Sequence, residues 1–129
     1  MDSNILFLMG RFLFGFFFIF SGITHFTKTK YLAQYAASKK ILFPRLSVVV
    51  SGFFILFGGL SILLGIYVIY GIILLSVFLL VTSLFMHNFW AVSKEQKQIE
   101  RINFMKNMAL LGATIMLLKI PFPWVFSLG

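Results

Sequence analysis

The apolar positions of this chain come in long unbroken runs, and the longest of these holds no charged residue. From the residue after Arg45 to the residue before Lys94, 48 consecutive positions include no Lys, Arg, Asp or Glu. A single α-helix of that length would measure about 72 Å, whereas the hydrocarbon core of a bilayer is about 30 Å thick. The run therefore has to cross the bilayer, turn and cross back. A glycine and two tyrosines place the turn near residues 64–67, because glycine loosens a helix and tyrosine favours the water interface.

The whole pattern predicts four membrane-spanning helices. They cover approximately residues 5–26, 46–64, 67–90 and 104–120. The alternating strands of about ten residues that build a membrane β-barrel are missing, and helices are the other way to satisfy backbone groups in lipid. With 60% apolar and 11% charged residues, the chain has too few charges for the surface of a soluble domain. We therefore expect an all-α integral membrane protein, an antiparallel four-helix transmembrane bundle that forms one domain over residues 1–129.

Most charged residues fall in the connection between spans 1 and 2 and in the connection between spans 3 and 4. The first carries Lys28, Lys30, Lys39, Lys40 and Arg45, and the second carries Lys94, Lys97, Arg101 and Lys106 with Glu95 and Glu100. In a four-span protein both connections lie on one side, which the positive-inside rule makes cytoplasmic, and both termini then lie outside. Anionic lipid thus explains the net charge of +8, and nucleic acid is not an expected partner. The first connection also predicts a short interfacial segment, because residues 31, 32, 35 and 36 are apolar or aromatic and share one side.

Small and polar residues mark the helix faces that pack together inside a membrane. Each predicted span has one such face, and in the first span it repeats at intervals of four and three residues from Arg11 to His25. We expect these residues to pack between helices: Gly15, Gly22, Ser51, Gly58, Gly59 and Gly65. The pattern leaves the oligomeric state open, and a homo-oligomer is compatible with it.

Arg11 is the costliest residue to place in the first span. A central arginine costs roughly 2.5–3.5 kcal/mol on insertion scales. Arg11 lies close enough to the outer boundary to snorkel outward, yet it shares the glycine face that points inward. The spans hold no carboxylate, so an inward Arg11 needs a backbone carbonyl, a hydroxyl, a water or an anionic group of a lipid or ligand as its partner. Both placements stay open, and Arg11 is a candidate ligand-binding residue.

The two histidines, His25 and His87, both fall near the cytoplasmic ends of their spans. Two imidazoles at one depth can move protons or ligate a haem or a metal, and the simpler alternative is a pair of interfacial histidines bonded to backbone or water. A quinone headgroup needs hydrogen-bond donors and flat apolar walls, which the two histidines, Asn88 and Trp90 can supply. The cofactor stays unassigned, with quinone ahead of haem, and no residue is assigned to a metal.

The chain has no cysteine, which excludes disulfide exchange, thiolate catalysis and Cys-ligated zinc or iron–sulfur clusters within it. It also shows no phosphate-binding loop, dinucleotide fingerprint, zinc-protease helix or nucleophile elbow. No catalytic residue can be assigned, and whether the protein is an enzyme stays open.

Several short motifs resemble those of the DoxX-like family of small membrane proteins. The residues that carry the likeness are Arg11, Ser21, Gly22, Gly58, Gly59 and His87. The resemblance extends over nearly the whole chain and implies a four-helix protein of the prokaryotic cytoplasmic (inner) membrane. Relatives are linked to quinol- or thiosulfate-oxidising systems and to membrane complexes that handle oxidative stress, while many have no established activity.

Two departures from the family pattern matter. Family members often have an acidic residue shortly before the Gly58-Gly59 pair, where this chain has apolar residues at 54–57. They often have a lysine after the Ser-Gly motif, and here that region holds His25. The missing carboxylate deprives Arg11 of the partner that the family pattern implies and weakens a proton-coupled redox role.

Three hypotheses about function follow. The first is a redox-linked membrane subunit that binds a quinone or quinol, or assists a membrane or cytoplasmic redox protein that does. The second is a non-catalytic membrane partner or assembly protein, which agrees with the lack of a catalytic constellation. The third is a small transporter or lipid-handling protein that uses Arg11 to hold an anionic group, although the chain lacks the inverted repeats and broken helices typical of transporters.

Overall fold

The structure, a computed structural model, describes residues 1–129, and all of its regular elements are helices. The long helices are α1 Ser3–Thr27, α2 Thr29–Ser38, α3 Pro44–Leu64, α4 Val68–Phe85 and α5 Lys94–Met116. Short 3-10 turns follow α4 and α5, at Phe89–Ala91 and Leu117–Lys119. α2 occupies the connection in which the sequence predicts a short interfacial segment.

Three helices are long and apolar enough to cross a membrane. They are Ser3–Thr27, Pro44–Leu64 and Val68–Ala91, the last including the turn after α4. They coincide with the first three spans that the sequence predicts, which confirms an all-helical membrane protein. α5 is not among them, because its first half carries the charged residues of the second basic connection. Length and composition therefore establish three spans and leave the fourth span and the four-helix bundle unconfirmed.

The last two predicted spans differ from the helices in their boundaries. The helix expected at 104–120 begins at Lys94, since residues 94–103 are mostly polar but form helix readily, and it ends at Met116. The span expected to end at residue 90 loses its regular helix at Phe85. As a result Asn88 and Trp90 lie in the turn between α4 and α5.

α1 and α3 pack in opposite directions at close range. The first half of α1 meets the end of α3, where Arg11 binds the Leu63 carbonyl, and the end of α1 meets the start of α3, where His25 binds the Val48 carbonyl. Glycines permit this approach, because a Cβ added to Gly59 would lie 2.9 Å from the carbonyl oxygen of Gly15. The backbones themselves therefore form the contact between these helices.

α4 packs against α3, and α5 packs against α4. The buried core contains Phe18, Ile55, Ile62, Val68, Ile72, Leu75, Leu79 and Trp124. Four of the glycines expected between helices are buried there: Gly15, Gly22, Gly58 and Gly59. Gly65 has a different place, since it ends α3 with a left-handed φ of 73°. Many large apolar side chains remain exposed on the outer faces, as lipid contact requires.

Candidate functional site

Arg11 points into the protein and is satisfied by backbone carbonyls. Its side chain is buried, with the residue only 2% exposed. Nε donates to the Ile62 oxygen at 3.1 Å, and one terminal nitrogen donates to the Leu63 oxygen at 2.7 Å. The guanidinium also donates to the carbonyls of Val125 and Phe126 in the C-terminal segment. The structure therefore gives Arg11 four backbone carbonyls as partners, and a backbone carbonyl is one of the partners that the sequence allows.

The position of Arg11 explains how α3 ends. The last carbonyls of a helix have no partner within the helix. Here the Ser61 oxygen accepts from the amides of Gly65 and Ile66, and the Leu64 oxygen accepts from the Leu128 amide at 3.0 Å. Arg11 takes the two carbonyls between them, and its positive charge suits the negative end of the helix dipole.

Two aromatic rings close the surroundings of Arg11. The guanidinium carbon lies 5.7 Å from the centroid of Phe7 and 5.6 Å from that of Trp124, within the range of cation–π contacts. Trp124 is itself buried. Because the guanidinium is enclosed and already donates to four oxygens, this geometry favours a structural use of Arg11 over the binding of an anionic ligand.

His25 belongs to a network between α1 and α3. Its Nδ1 lies 3.0 Å from the Val48 oxygen and 3.1 Å from the Ser51 hydroxyl, which in turn donates to the same Val48 oxygen at 3.0 Å. The ring meets Phe78 of α4 edge-on, with centroids 6.0 Å apart. A carbonyl can only accept, so we assign the proton to Nδ1, and Nε2 is left as the acceptor of a neutral ring.

His87 belongs to a second network, which is centred on the carboxylate of Glu100. From the sequence, Glu100 is only one of the charged residues of the second connection. The His87 Nδ1 lies 2.8 Å from Glu100 Oε2, and the Tyr35 hydroxyl donates to Glu100 Oε1 at 2.7 Å. Glu100 is buried, although it lies in the charged half of α5. The imidazole, the carboxylate and the phenol come from three different parts of the chain and form one hydrogen-bonded chain, which we call the His87–Glu100–Tyr35 chain.

The same contacts attach α2 to the turn between α4 and α5. The Tyr35 hydroxyl lies 3.2 Å from the Met86 oxygen, and Lys39 donates to Asn88 Oδ1 at 3.0 Å. The Lys39 ammonium also lies 6.0 Å from the centroid of the Tyr35 ring. The sequence places Tyr35 on the apolar side of the interfacial segment but gives no signal that it pairs with Glu100. The pairing depends on how α2 packs in the folded chain.

The surroundings of Glu100 favour its ionised form. Burial by itself acts to raise the pKa of the Glu100 carboxyl, but hydrogen bonds from Tyr35 and His87 and the charges of His87 and Lys39 outweigh it and hold the pKa below the usual range. The pKa of the Tyr35 phenol is raised, first by burial and then by its bond to Glu100 and the carboxylate charge. The network therefore holds a carboxylate that accepts from a neutral phenol.

Trp90 lies in an aromatic group beside this network. Its ring meets Phe89 at a centroid distance of 5.3 Å and Phe104 at 5.7 Å. Phe104 follows Glu100 by one turn of α5. Arg101 covers the Phe89 ring at 5.5 Å. Trp90 itself is 54% exposed, so the group offers a flat apolar surface at this end of the protein.

The structure thus divides the five candidate residues among three places. Arg11 lies at the end of α3 with the C-terminal segment, and His25 lies between α1 and α3. His87 binds Glu100, the neighbouring Asn88 binds Lys39 of α2, and Trp90 lies beside this network. His25 and His87 have no hydrogen-bond partner in common.

These features define a small all-helical membrane protein with a buried arginine near one end and an imidazole–carboxylate pair near the other. A family model described as DoxX matches residues 6–88, well over half of the chain. The protein belongs to the DoxX family. The matched range contains Arg11, His25 and His87 and ends before Glu100. No curated protein and no solved structure was found to match the chain.

Proposed function

We propose that this DoxX-family protein is a redox-linked subunit of the prokaryotic cytoplasmic membrane that binds a quinone or quinol, or assists a partner protein that does. The observation that carries the proposal is the His87–Glu100–Tyr35 chain beside the exposed aromatic surface of Trp90. A titratable pair next to flat rings is a combination that quinone chemistry uses. Family membership agrees with this proposal but does not by itself specify a redox role.

The proposal includes a topology. The apolar second half of α5 and the turn after it, residues 104–120, would form a fourth span antiparallel to α4. The two basic connections would then lie together on the cytoplasmic side, with both termini outside. The bond from Tyr35 in the first connection to Glu100 in the second supports this arrangement, because it holds both connections at the same end.

The hydrogen bonds give His87 a defined orientation. A carboxylate accepts, so the Nδ1 of His87 carries the proton that faces Glu100. Glu100 is held in turn by Tyr35, which keeps the carboxylate from rotating. Nε2 of His87 makes no hydrogen bond within the chain and can accept or release a proton. Glu100 stabilises the imidazolium when Nε2 is protonated.

The residues present fit a quinone headgroup. When bound, a quinone supplies two-electron redox chemistry coupled to two protons. His87 Nε2 would hydrogen-bond a ring oxygen, and the rings of Trp90 and Phe89 would provide a flat apolar wall. A haem fits less well, because the Nδ1 atoms of His25 and His87 are committed to different partners and the two imidazoles share no network.

The test uses protein purified from its native membrane in mild detergent. Solvent extraction and mass spectrometry measure the bound quinone, and absorption spectra with dithionite and ferricyanide report any redox-active group. We expect wild-type protein to retain quinone, and His87→Gln and Glu100→Gln to retain at least about tenfold less, as loss of a charge-assisted hydrogen bond implies. Glu95→Gln is the matched control, since Glu95 is exposed on the same helix.

Full quinone retention in folded His87→Gln and Glu100→Gln would reject the site. A wild-type preparation without quinone that also fails to bind an added short-tailed quinone would reject the function. The two results are separable, because the first leaves a quinone-binding protein with a different site.

A second candidate function is a non-catalytic membrane partner. It is favoured by the exposure of eight basic side chains around the two connections, Lys28, Lys30, Lys40, Arg45, Lys94, Lys97, Arg101 and Lys106. These charges suit an acidic protein surface as well as anionic lipid. Cross-linking in native membranes tests it. A partner captured by wild-type protein but not by a variant with Lys94, Lys97 and Arg101 changed to Gln would support it, and unchanged capture would oppose it.

A further inference from the structure

One face of α1 is left uncovered by α3 and forms the wall of a groove. The groove has a volume of about 380 Å³ and is lined by Phe17, Phe20, Ser21, Thr24, His25 and Leu32. The first five lie at positions i, i+3, i+4, i+7 and i+8 of α1, which places them on one side of the helix. Leu32 comes from α2, so the groove lies where α2 folds back past α1.

The groove opens toward lipid. Phe17 and Phe20 are 43% and 69% exposed, although both lie within the apolar span Ser3–Thr27. A volume of a few hundred Å³ is in the range of pockets that hold small ligands. A molecule dissolved in the bilayer can therefore enter between these rings without crossing water.

Two polar groups in the groove have hydrogen-bonding capacity that the protein does not use. Because Nδ1 of His25 is held by the Val48 carbonyl, Nε2 of the neutral ring is an acceptor, and it makes no hydrogen bond within the chain. The Ser21 hydroxyl also has no partner, whereas the neighbouring Thr24 hydroxyl donates to the Phe20 carbonyl at 3.0 Å. Both groups are therefore free to form a hydrogen bond with a ligand that enters the groove.

The charges around the groove restrict the ligand. No Lys, Arg, Asp or Glu lines it. The Lys106 ammonium of α5 lies 5.7 Å from the centroid of the Phe17 ring, which is its contact with a lining residue. A phosphate group would have no arginine or lysine to pair with among the lining side chains, which favours an uncharged headgroup.

We propose that this groove binds an uncharged, lipid-soluble alcohol or phenol, whose hydroxyl donates to His25 Nε2 and whose neighbouring oxygen accepts from Ser21. Quinols and diacylglycerols share this chemistry. The site is distinct from the His87–Glu100–Tyr35 chain and does not depend on the proposed redox role, since a neutral lipid could occupy it in a protein without redox activity.

The experiment uses the two imidazoles of the chain as reporters. Protein with ¹⁵N-labelled histidine gives two rings by NMR in detergent, and His87→Gln identifies the signal of His25. The probes are decylubiquinol kept reduced, dioctanoylglycerol and, as the charged comparison, dioctanoylphosphatidylglycerol. We expect at least one uncharged probe to shift the His25 Nε2 signal in a saturable way while the charged lipid does not. The probe that binds identifies the source of the ligand.

Two variants make the test specific. Ser21→Leu fills the groove and should weaken binding by at least about tenfold. Ile23→Leu is the matched control on an exposed position of the same helix outside the groove. Absence of any saturable shift with either uncharged probe would overturn the proposal. Equal binding of the charged lipid, or unchanged binding by folded Ser21→Leu, would also overturn it.

Discussion

Arg11 in α1 and Leu63 in α3 are joined by a hydrogen bond of 2.7 Å from a guanidinium nitrogen to a carbonyl oxygen. The bond links a charged residue of one span to the end of another, and the same guanidinium extends the link to Val125. A cation that hydropathy marks as unfavourable thus supplies the donors that the end of α3 lacks. Three parts of the chain meet at this one side chain.

Replacing Arg11 should destabilise the protein strongly. Arg11→Leu leaves the Ile62 and Leu63 carbonyls without donors in the protein interior, and each unsatisfied buried group costs about 1–3 kcal/mol. Arg11→Lys keeps the charge but cannot reach four oxygens at once, so it should also lose a few kcal/mol. Thermal unfolding in detergent measures the effect. The control is Arg45→Lys at an exposed position. Equal melting temperatures for Arg11→Lys and Arg45→Lys would contradict a stabilising role for the four hydrogen bonds of Arg11.

The contact between α1 and α3 should not tolerate a methyl group at Gly59. The added Cβ would lie 2.9 Å from the Gly15 oxygen and 3.0 Å from the Ile19 nitrogen, and both are backbone atoms. We expect Gly59→Ala to cost about 1–3 kcal/mol, as overpacking does. Gly112→Ala is the matched control, because nothing lies within 4 Å of its Cβ position and alanine favours the helix. If the two variants unfold alike, the backbone contact is not what holds these helices together.

The bilayer explains why three spans can be predicted from the sequence. Long apolar runs have no other stable form in lipid, so the helices Ser3–Thr27, Pro44–Leu64 and Val68–Ala91 follow from hydropathy alone. The start of α5 could not be predicted in this way, since residues 94–103 are mostly polar and hydropathy carries no signal for a polar helix. The charge pattern locates the connection but not its structure.

The candidate sites depend on contacts between distant residues. The glycine face predicts that Arg11 can point inward, but its acceptors Ile62 and Val125 lie 51 and 114 residues away. Glu100 reaches Tyr35 across 65 residues, and only the packing of α2 brings them together. Local pattern therefore identified Arg11, His25 and His87 as residues of interest, whereas Glu100 required the folded chain.

Removing the Tyr35 hydroxyl should loosen α2. In Tyr35→Phe the Glu100 carboxylate loses a donor and α2 loses its bond to the second connection, which costs about 1.5–3 kcal/mol for a hydrogen bond to a charged group. Hydrogen exchange of the amides in Thr29–Ser38 measures the opening of this helix. Tyr31→Phe is the control, since Tyr31 is 69% exposed. Unchanged protection of α2 in Tyr35→Phe would show that apolar packing alone holds the helix.

The ionisation of Glu100 should make stability depend on pH in the acid range. The pKa of its carboxyl is lower in the folded protein than the usual value for a glutamate, so folding favours the ionised form. The stabilisation is complete above the unfolded pKa and is lost as pH falls through the folded pKa. The groups that face the carboxyl are Tyr35, His87 and Lys39.

Glu100→Gln should therefore unfold at a lower temperature than wild type at pH 6 and approach it as the pH falls through the folded pKa of the Glu100 carboxyl, because both side chains are then neutral. Melting temperatures in detergent between pH 3 and pH 7 measure the difference. Glu95→Gln should follow wild type throughout, because Glu95 is exposed on the same helix. A difference in melting temperature between Glu100→Gln and wild type that stayed constant across this range would contradict the prediction. The substitution would then act through the shape of the side chain, and the charge of the carboxylate would not be what holds His87 and Tyr35.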